Sequence, residues 1–183
     1  MNNPNNNPKT KLELTNVYVS FVNTEDNSKY GKSITVLAYS EVAGHVECDV
    51  IDEITKWVEE NNIGSGDDAG KPHFKHYEKE YEVYDYFYFK PGRDTVYSNK
   101  DGQTLSLNDI KPNSTICLTA RAFPYSYKDE NGKTIQGVSH RLSSVFVMEA
   151  GESQAQEDAK ELYEKIMATN TESKEDNLGD IPF

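Results

Sequence analysis

Aromatic side chains are concentrated in one part of the sequence. Of the 12 tyrosines, 7 phenylalanines and single tryptophan, 9 lie between Phe74 and Tyr97. Successive side chains of a β-strand point to opposite faces, so a strand over 82–90 would carry two unlike rows. One row contains Val83, Asp85, Phe87 and Phe89, and the other contains Tyr84, Tyr86, Tyr88 and Lys90. Phenylalanine suits a dry core, whereas tyrosine suits a surface that is apolar at its rings and wet at its hydroxyls.

Such a tyrosine row could stack on nucleic-acid bases. Stacking on an aromatic ring is worth about 1–3 kcal/mol per base and tolerates any sequence, because every base has a π-face. The same row could instead cover the sheet or pair with neighbouring strands, since aromatic residues are common in strands. Cations beside the rings favour the first interpretation.

A second segment repeats the combination of rings and cations. Alternation over 116–123 places an apolar face opposite a face with Arg121 and Phe123, and the sequence indicates a long hairpin loop over 124–133 with further tyrosines and lysines. We predict that six aromatic side chains stack on bases: Tyr84, Tyr86, Tyr88, Phe123, Tyr125 and Tyr127. We predict that six cations contact phosphates: Lys90, Arg93, Arg121, Lys128, Lys133 and Arg141.

Two other kinds of site were weighed against this one. Two pairs with metal-ligand spacing, His45 with Cys48 and His73 with His76, could together hold a structural zinc ion, although such pairs also arise by accident. The sequence has no phosphate-binding glycine loop, nucleophile elbow or HExxH motif. We therefore expect a protein that is not an enzyme and needs no cofactor.

The net charge of −12 counts against binding to a polyanion. Residues 151–183 hold 3 lysines and no arginine against 9 acidic residues, and the rest of the chain holds 16 basic against 22 acidic residues. Any basic surface must therefore be a local groove and not a whole face of the molecule.

Cellular location is predicted from weaker signals. The sequence contains 2 cysteines, too few for a disulfide framework, and its longest apolar run is about Tyr86–Phe89. Residues 1–8 resemble neither a secretion signal nor a transit peptide. We expect a cytoplasmic protein that does not contact the membrane.

Hydrophobic periodicity and turn residues predict a mainly β fold. Strands are expected at about 12–22, 33–42, 81–90, 114–123 and 139–148, with one helix from an Asp49 cap to Gly64. This set predicts an OB-like five-stranded barrel over 11–150. A disordered segment over 1–10, a helix over 151–168 and a disordered acidic tail over 169–183 complete the predicted organisation.

The sequence ends with Asp180, Ile181, Pro182 and Phe183, which combine a carboxylate with a terminal ring. Such a peptide can fill an apolar pocket that has a basic rim. It resembles the acidic tip of bacterial single-stranded DNA-binding proteins. The body resembles bacteriophage single-stranded DNA-binding proteins with an OB core and an acidic tail, through residues 29–32, 90–94, 101–102 and 110–149.

This resemblance implies a sequence-independent single-stranded DNA-binding protein that acts in phage DNA replication, recombination and repair in the host cytoplasm. It also implies that the tip recruits replication proteins such as a DNA polymerase or helicase. The alternative is a β-rich protein-interaction module or virion-associated adaptor without nucleic-acid binding, because tyrosine is also favoured at protein interfaces. Either protein could form a homo-oligomer.

Overall fold

The computed structural model describes residues 10–26, 31–42, 44–152 and 162–164. The described part of residues 1–151 contains eight strands and one α-helix, together with short 3-10 turns at Gly66–Asp68 and Leu107–Asp109. Their bounds are Lys11–Asn23 (β1), Ser33–Val42 (β2), His45–Asp49 (β3), Ile51–Glu60 (α1), Lys75–Lys79 (β4), Glu82–Asn99 (β5), Thr104–Leu105 (β6), Thr115–Lys128 (β7) and Thr134–Glu149 (β8).

The protein divides into two units, Met1–Gly151 and Glu152–Phe183. All eight strands and α1 belong to the first. In the second, residues 162–164 are helical, and the rest of the helix and tail predicted over 151–183 lies almost entirely outside the described residues, as do residues 1–9. No helix in the described part of the chain is long and apolar enough to span a membrane.

Five of the strands close into a ring, which confirms the predicted OB-like barrel. β1 pairs antiparallel with β2 and β7, β7 pairs antiparallel with β8, β8 pairs parallel with β5, and β5 returns antiparallel to β2. The other three strands extend this ring: β3 beside β2, and β4 and β6 beside β5. The sequence predicted only the ring strands because β6 has two residues and every residue of β4 is exposed, so neither shows a buried alternation.

The barrel core is formed by the alternating apolar residues that the sequence indicated. On β7, Ile116, Leu118, Ala120 and Ala122 are all buried. On β5, Phe89 is fully buried, and its ring lies 6.1 Å from that of Trp57 in α1. The predicted faces of both strands are therefore correct, since burying one face requires a period of two.

Several predicted boundaries are wrong, each for a local reason. Val50, not Asp49, precedes α1, because the Val50 N–H donates to the Ala38 carbonyl and keeps the chain beside β2. β5 continues past its predicted end at 90, and a register shift between Pro91 and Val96 forms a bulge there. The first half of the predicted loop, residues 124–128, is strand, and the turn itself spans 129–133.

Candidate nucleic-acid interface

The outer face of the β7–β8 hairpin presents three aromatic residues in sequence alternation. Phe123, Tyr125 and Tyr127 lie on the face opposite to the buried Ala122. The rings of Tyr125 and Tyr127 are 6.1 Å apart and inclined by 30°, with 40% and 57% of each residue exposed. Two half-exposed rings at this spacing leave room beside them for flat ligands.

A groove of about 890 Å³ runs along this hairpin face. Phe123, Tyr125 and Tyr127 line it together with Arg93 and Arg141, so five of the predicted site residues meet there. The bulge in β5 places Arg93 at the groove. The bulge is stabilised by the Thr95 hydroxyl, which accepts a hydrogen bond from the Gly92 N–H at 2.7 Å and donates one to the Leu142 carbonyl at 2.8 Å.

A second hollow, of about 400 Å³, lies over the predicted tyrosine row. Tyr86 and Tyr88 line it with Phe21, Phe74 and Lys75. Phe21 is 59% exposed, although it lies on a strand of the barrel. The hollow is mainly apolar and carries one cation, as expected of a surface that accepts bases and keeps phosphates at its rim.

A third hollow, of about 350 Å³, joins the other two. It shares Tyr88 and His73 with the second hollow and Tyr125 with the hairpin groove, and it adds Lys71 and Lys90. We call the three together the trough. Its lining contains five lysines and arginines against one carboxylate, that of Asp94. The net charge implied that any basic surface must be a local groove, and the trough is such a groove.

His140 is a half-buried polar residue of the trough. Its Nε2–H donates to the Tyr88 carbonyl at 3.2 Å, and its ring lies 5.7 Å from that of Tyr88 and 5.5 Å from that of Phe87. Burial lowers the pKa of His140 below 6.5, and the nearby Lys90 lowers it further. The neutral imidazole therefore fixes the backbone of Tyr88 without adding charge.

Eight of the twelve predicted residues line the trough: Tyr86, Tyr88, Lys90, Arg93, Phe123, Tyr125, Tyr127 and Arg141. Arg121 lies outside it on β7, and Lys128 and Lys133 flank the hairpin turn. Tyr84 is half-buried, and its ring stacks on that of Tyr86 at 6.0 Å. The tip at 180–183 lies outside the described residues.

The tyrosine row lies outside the barrel core, but its members differ in exposure. Tyr88 is 38% exposed, whereas Tyr84 and Tyr86 pack partly against the core. Burial raises the pKa of Tyr86 above 10.0, and its hydroxyl is hydrogen-bonded to Ser20. Tyr84 and Tyr86 therefore partly cover the sheet, which is the alternative to base stacking that the sequence left open.

Sequence reasoning missed two phenylalanines and two lysines of the trough: Phe21, Phe74, Lys71 and Lys75. Phe74 packs 5.7 Å from Phe87 and forms a wall of the second hollow. A usable signal was present, because the run 71–77 mixes cations with aromatic rings as the predicted segments do. Phe21 has no such signal, since it reaches the trough through pairing of distant strands.

Three of the four residues that could hold zinc, Cys48, His73 and His76, have other contacts. The buried Cys48 thiol lies 3.1 Å from the Leu37 carbonyl, and His76 Nδ1 lies 2.8 Å from Asp85 Oδ1. That hydrogen bond is the main reason why the pKa of His76 is raised. His73 lies 3.8 Å from an Asp68 carboxylate oxygen. Among the described residues, no three potential ligands are grouped as a metal site would need.

Comparison with known proteins identifies a fold and no sequence family. No protein-family model matches the sequence, and no curated protein matches it. The structure is similar to the single-stranded DNA-binding protein from bacteriophage Enc34, with a TM-score of 0.51 and 15% identity over 80% of this chain and 85% of that chain. This similarity shows a shared fold, in agreement with the resemblance found from the sequence.

Two further structures of the same phage protein are also similar. A C-terminal truncation gives a TM-score of 0.47, and a complex with single-stranded DNA gives 0.46. Both are 15% identical and cover 80% of this chain, with 88% of the truncated chain and 90% of the chain in the complex.

Proposed function

We propose that this protein binds single-stranded DNA without sequence preference. The observation that carries the proposal is the trough, whose lining combines half-exposed rings such as Tyr88, Tyr125 and Tyr127 with the cations Lys90, Arg93 and Arg141. Rings that accept any base beside cations that accept any phosphate bind a strand by its general chemistry. The trough offers each strand the same contacts whatever its sequence.

The place of the trough on the barrel supports the proposal. OB-folds bind oligonucleotides on the face of their second and third strands and with the loops that flank them. The second and third strands of the ring are β2 and β5, and the hairpin that joins the last two ring strands carries Tyr125 and Tyr127. A protein with the same fold is, by its description, a single-stranded DNA-binding protein.

The acidic composition sets the expected strength of binding. Five cations line the trough, and each phosphate contact contributes about 0.7 to the slope of log affinity against log salt for single strands. The slope should therefore be no steeper than about −3.5 if the trough is the whole site. Binding is tight at low salt and modest at physiological salt.

The proposal extends to the role of the protein in the cell. A binder of this kind coats exposed strands during phage DNA replication, recombination and repair in the host cytoplasm. The 180–183 peptide recruits a replication protein, such as a polymerase or helicase. Its ring and carboxylates fill an apolar pocket with a basic rim on that protein. The acidic tail also competes with DNA for the trough.

Fluorescence anisotropy of a labelled oligothymidine tests this function. Tyr88→Ala and Tyr127→Ala should each weaken binding by about 1–3 kcal/mol. Tyr81→Ala is the matched control, because Tyr81 is 81% exposed and does not line the trough. If the wild-type protein does not bind the oligonucleotide even in dilute buffer, that result would instead favour the protein-interaction module.

A further inference from the structure

Four cations lie side by side across four neighbouring strands. Strand register places Lys11 on β1 opposite Arg121 on β7, Arg121 opposite Arg141 on β8, and Arg141 opposite Lys90 on β5. Residues that face one another across a sheet point to the same side. We refer to these four residues as the cation row.

The cation row lies on the outer surface of the barrel. The residues next to its members along their strands are buried, among them Leu12, Ala120, Leu142 and Phe89. Since side chains alternate along a strand, the row itself points outward. Lys11, Lys90 and Arg141 are accordingly accessible to a ligand, and Arg121 is half-buried among them.

The cation row places like charges directly opposite one another on adjacent strands three times in succession. Such pairings destabilise a sheet. The protein has 31 acidic residues against 19 basic ones, so a row of four cations runs against its composition. A polyanion laid over the row would relieve this repulsion.

The row also continues from the trough. Lys90 and Arg141 line the trough, whereas Arg121 and Lys11 lie one and two strands beyond it. We infer that the phosphate backbone leaves the trough at Arg141 and crosses β7 and β1 over Arg121 and Lys11. This inference rests on the proposed function and adds an exit path to it.

The length of the path follows from strand spacing. Neighbouring strands lie about 4.8 Å apart, so the two steps from Arg141 to Lys11 span about 10 Å. At about 3.4 Å per nucleotide in a helical strand, and more in an extended one, this distance holds at most about three nucleotides. The complete site is therefore longer than the trough by a few nucleotides.

One carboxylate limits the end of the path. Lys11 forms an ion pair with Glu13, which lies two residues along β1 on the same outer face. Glu13 thus competes with a phosphate for the Lys11 ammonium group. Removing its charge should strengthen binding, whereas removing the charge of Lys11 should weaken it.

Anisotropy with oligothymidines of graded length at several salt concentrations tests the exit path. On long oligonucleotides, the double variant Lys11→Gln, Arg121→Gln should lower the salt slope by about 1.4 and stop gaining affinity about three nucleotides sooner than the wild type. On oligonucleotides that fill the trough alone it should bind like the wild type. Glu13→Gln should bind long oligonucleotides more tightly, and Lys100→Gln, a matched control in the turn after β5, should change nothing.

The outcomes separate the path from the proposed function. An unchanged salt slope and length dependence in the double variant would overturn the path while Tyr127→Ala still showed that the trough binds DNA. A loss that is equal for short and long oligonucleotides would also overturn it, since Arg121 and Lys11 would then act within the trough. A wild-type protein that binds no oligonucleotide would refute the proposed function itself.

Discussion

The ring of Tyr125 lies directly over Gly137 on the neighbouring strand. A Cβ atom at Gly137 would come within 2.5 Å of the Tyr125 hydroxyl oxygen and 2.7 Å of its Cζ atom. Gly137 and Tyr125 are cross-strand partners in the β7–β8 hairpin. Because residue 137 has no side chain, the Tyr125 ring can lie against the sheet, at the point where the hairpin groove meets the third hollow.

Replacing Gly137 with alanine should displace the Tyr125 ring and weaken DNA binding. The new methyl group occupies the place of the ring, so we expect a loss of up to about 1–3 kcal/mol, the worth of one stacked base. Anisotropy of a labelled oligothymidine measures the change. Placed on a Tyr125→Ala background, the same substitution should have no further effect on binding. Independent losses in the double variant would contradict the proposed coupling.

Tyr86→Ala should cost more folding stability than Tyr88→Ala. Tyr86 packs partly against the core and bonds Ser20 through its hydroxyl, whereas Tyr88 is more open to solvent. We expect the free energy of unfolding to fall by about 1–3 kcal/mol for Tyr86→Ala, with the barrel still folded, and by less for Tyr88→Ala. Urea unfolding of both variants gives the comparison. Equal losses of unfolding free energy would mean that the different exposure of Tyr86 and Tyr88 does not make their contributions to stability differ.

The stability of the barrel should fall as pH decreases below 6.5, in part because of His140. Burial lowers the pKa of His140 in the folded protein, so the unfolded chain binds a proton more readily. The stabilisation is full above the unfolded pKa of about 6.5 and is lost as pH falls toward the folded value. His140→Gln should flatten this dependence in urea unfolding at pH 7.5, 6.5 and 5.5.

His76 provides a control of opposite sign. Its hydrogen bond to Asp85 raises its pKa, so its contribution is present below pH 6.5 and is lost as pH rises through the folded value. His76→Asn should therefore make the loss of stability toward low pH steeper. A pH profile that neither substitution alters would show that both imidazoles titrate as in the unfolded chain.

Shortening the acidic tail should tighten DNA binding. Deleting 172–183 removes four carboxylate side chains and one lysine, whereas deleting 177–183 removes one carboxylate side chain. If the tail competes for the trough, the longer deletion should raise affinity more, and the gain should shrink at high salt. Anisotropy at two salt concentrations measures this, and pull-down of polymerase or helicase tests whether both deletions abolish recruitment. Equal affinity of the full-length protein and the two deletion variants for DNA would show that the tail does not compete with DNA for the trough.

The sequence predicted those features that depend on one strand at a time. The alternation over 116–122 indicated which face of β7 is buried, because an apolar face must repeat every second residue. The same rule separated Phe87 and Phe89 from Tyr86 and Tyr88. The predicted ends of strands were less reliable, since Pro91 and Gly92 form a bulge within a strand that continues past 90 to Asn99.

What the sequence by itself determined was the kind of surface: rings and cations on the outer faces of two amphipathic strands around an OB-like core. What only the tertiary structure decided was which residues share that surface. Phe21 reaches Tyr86 through the β1–β2 and β2–β5 pairings, and Phe74 reaches it through the β4–β5 pairing. The register of four strands aligns Lys11 with Lys90. Alternation is fixed by neighbours in the chain, whereas ring closure and register depend on contacts between residues far apart in sequence, which no local pattern specifies.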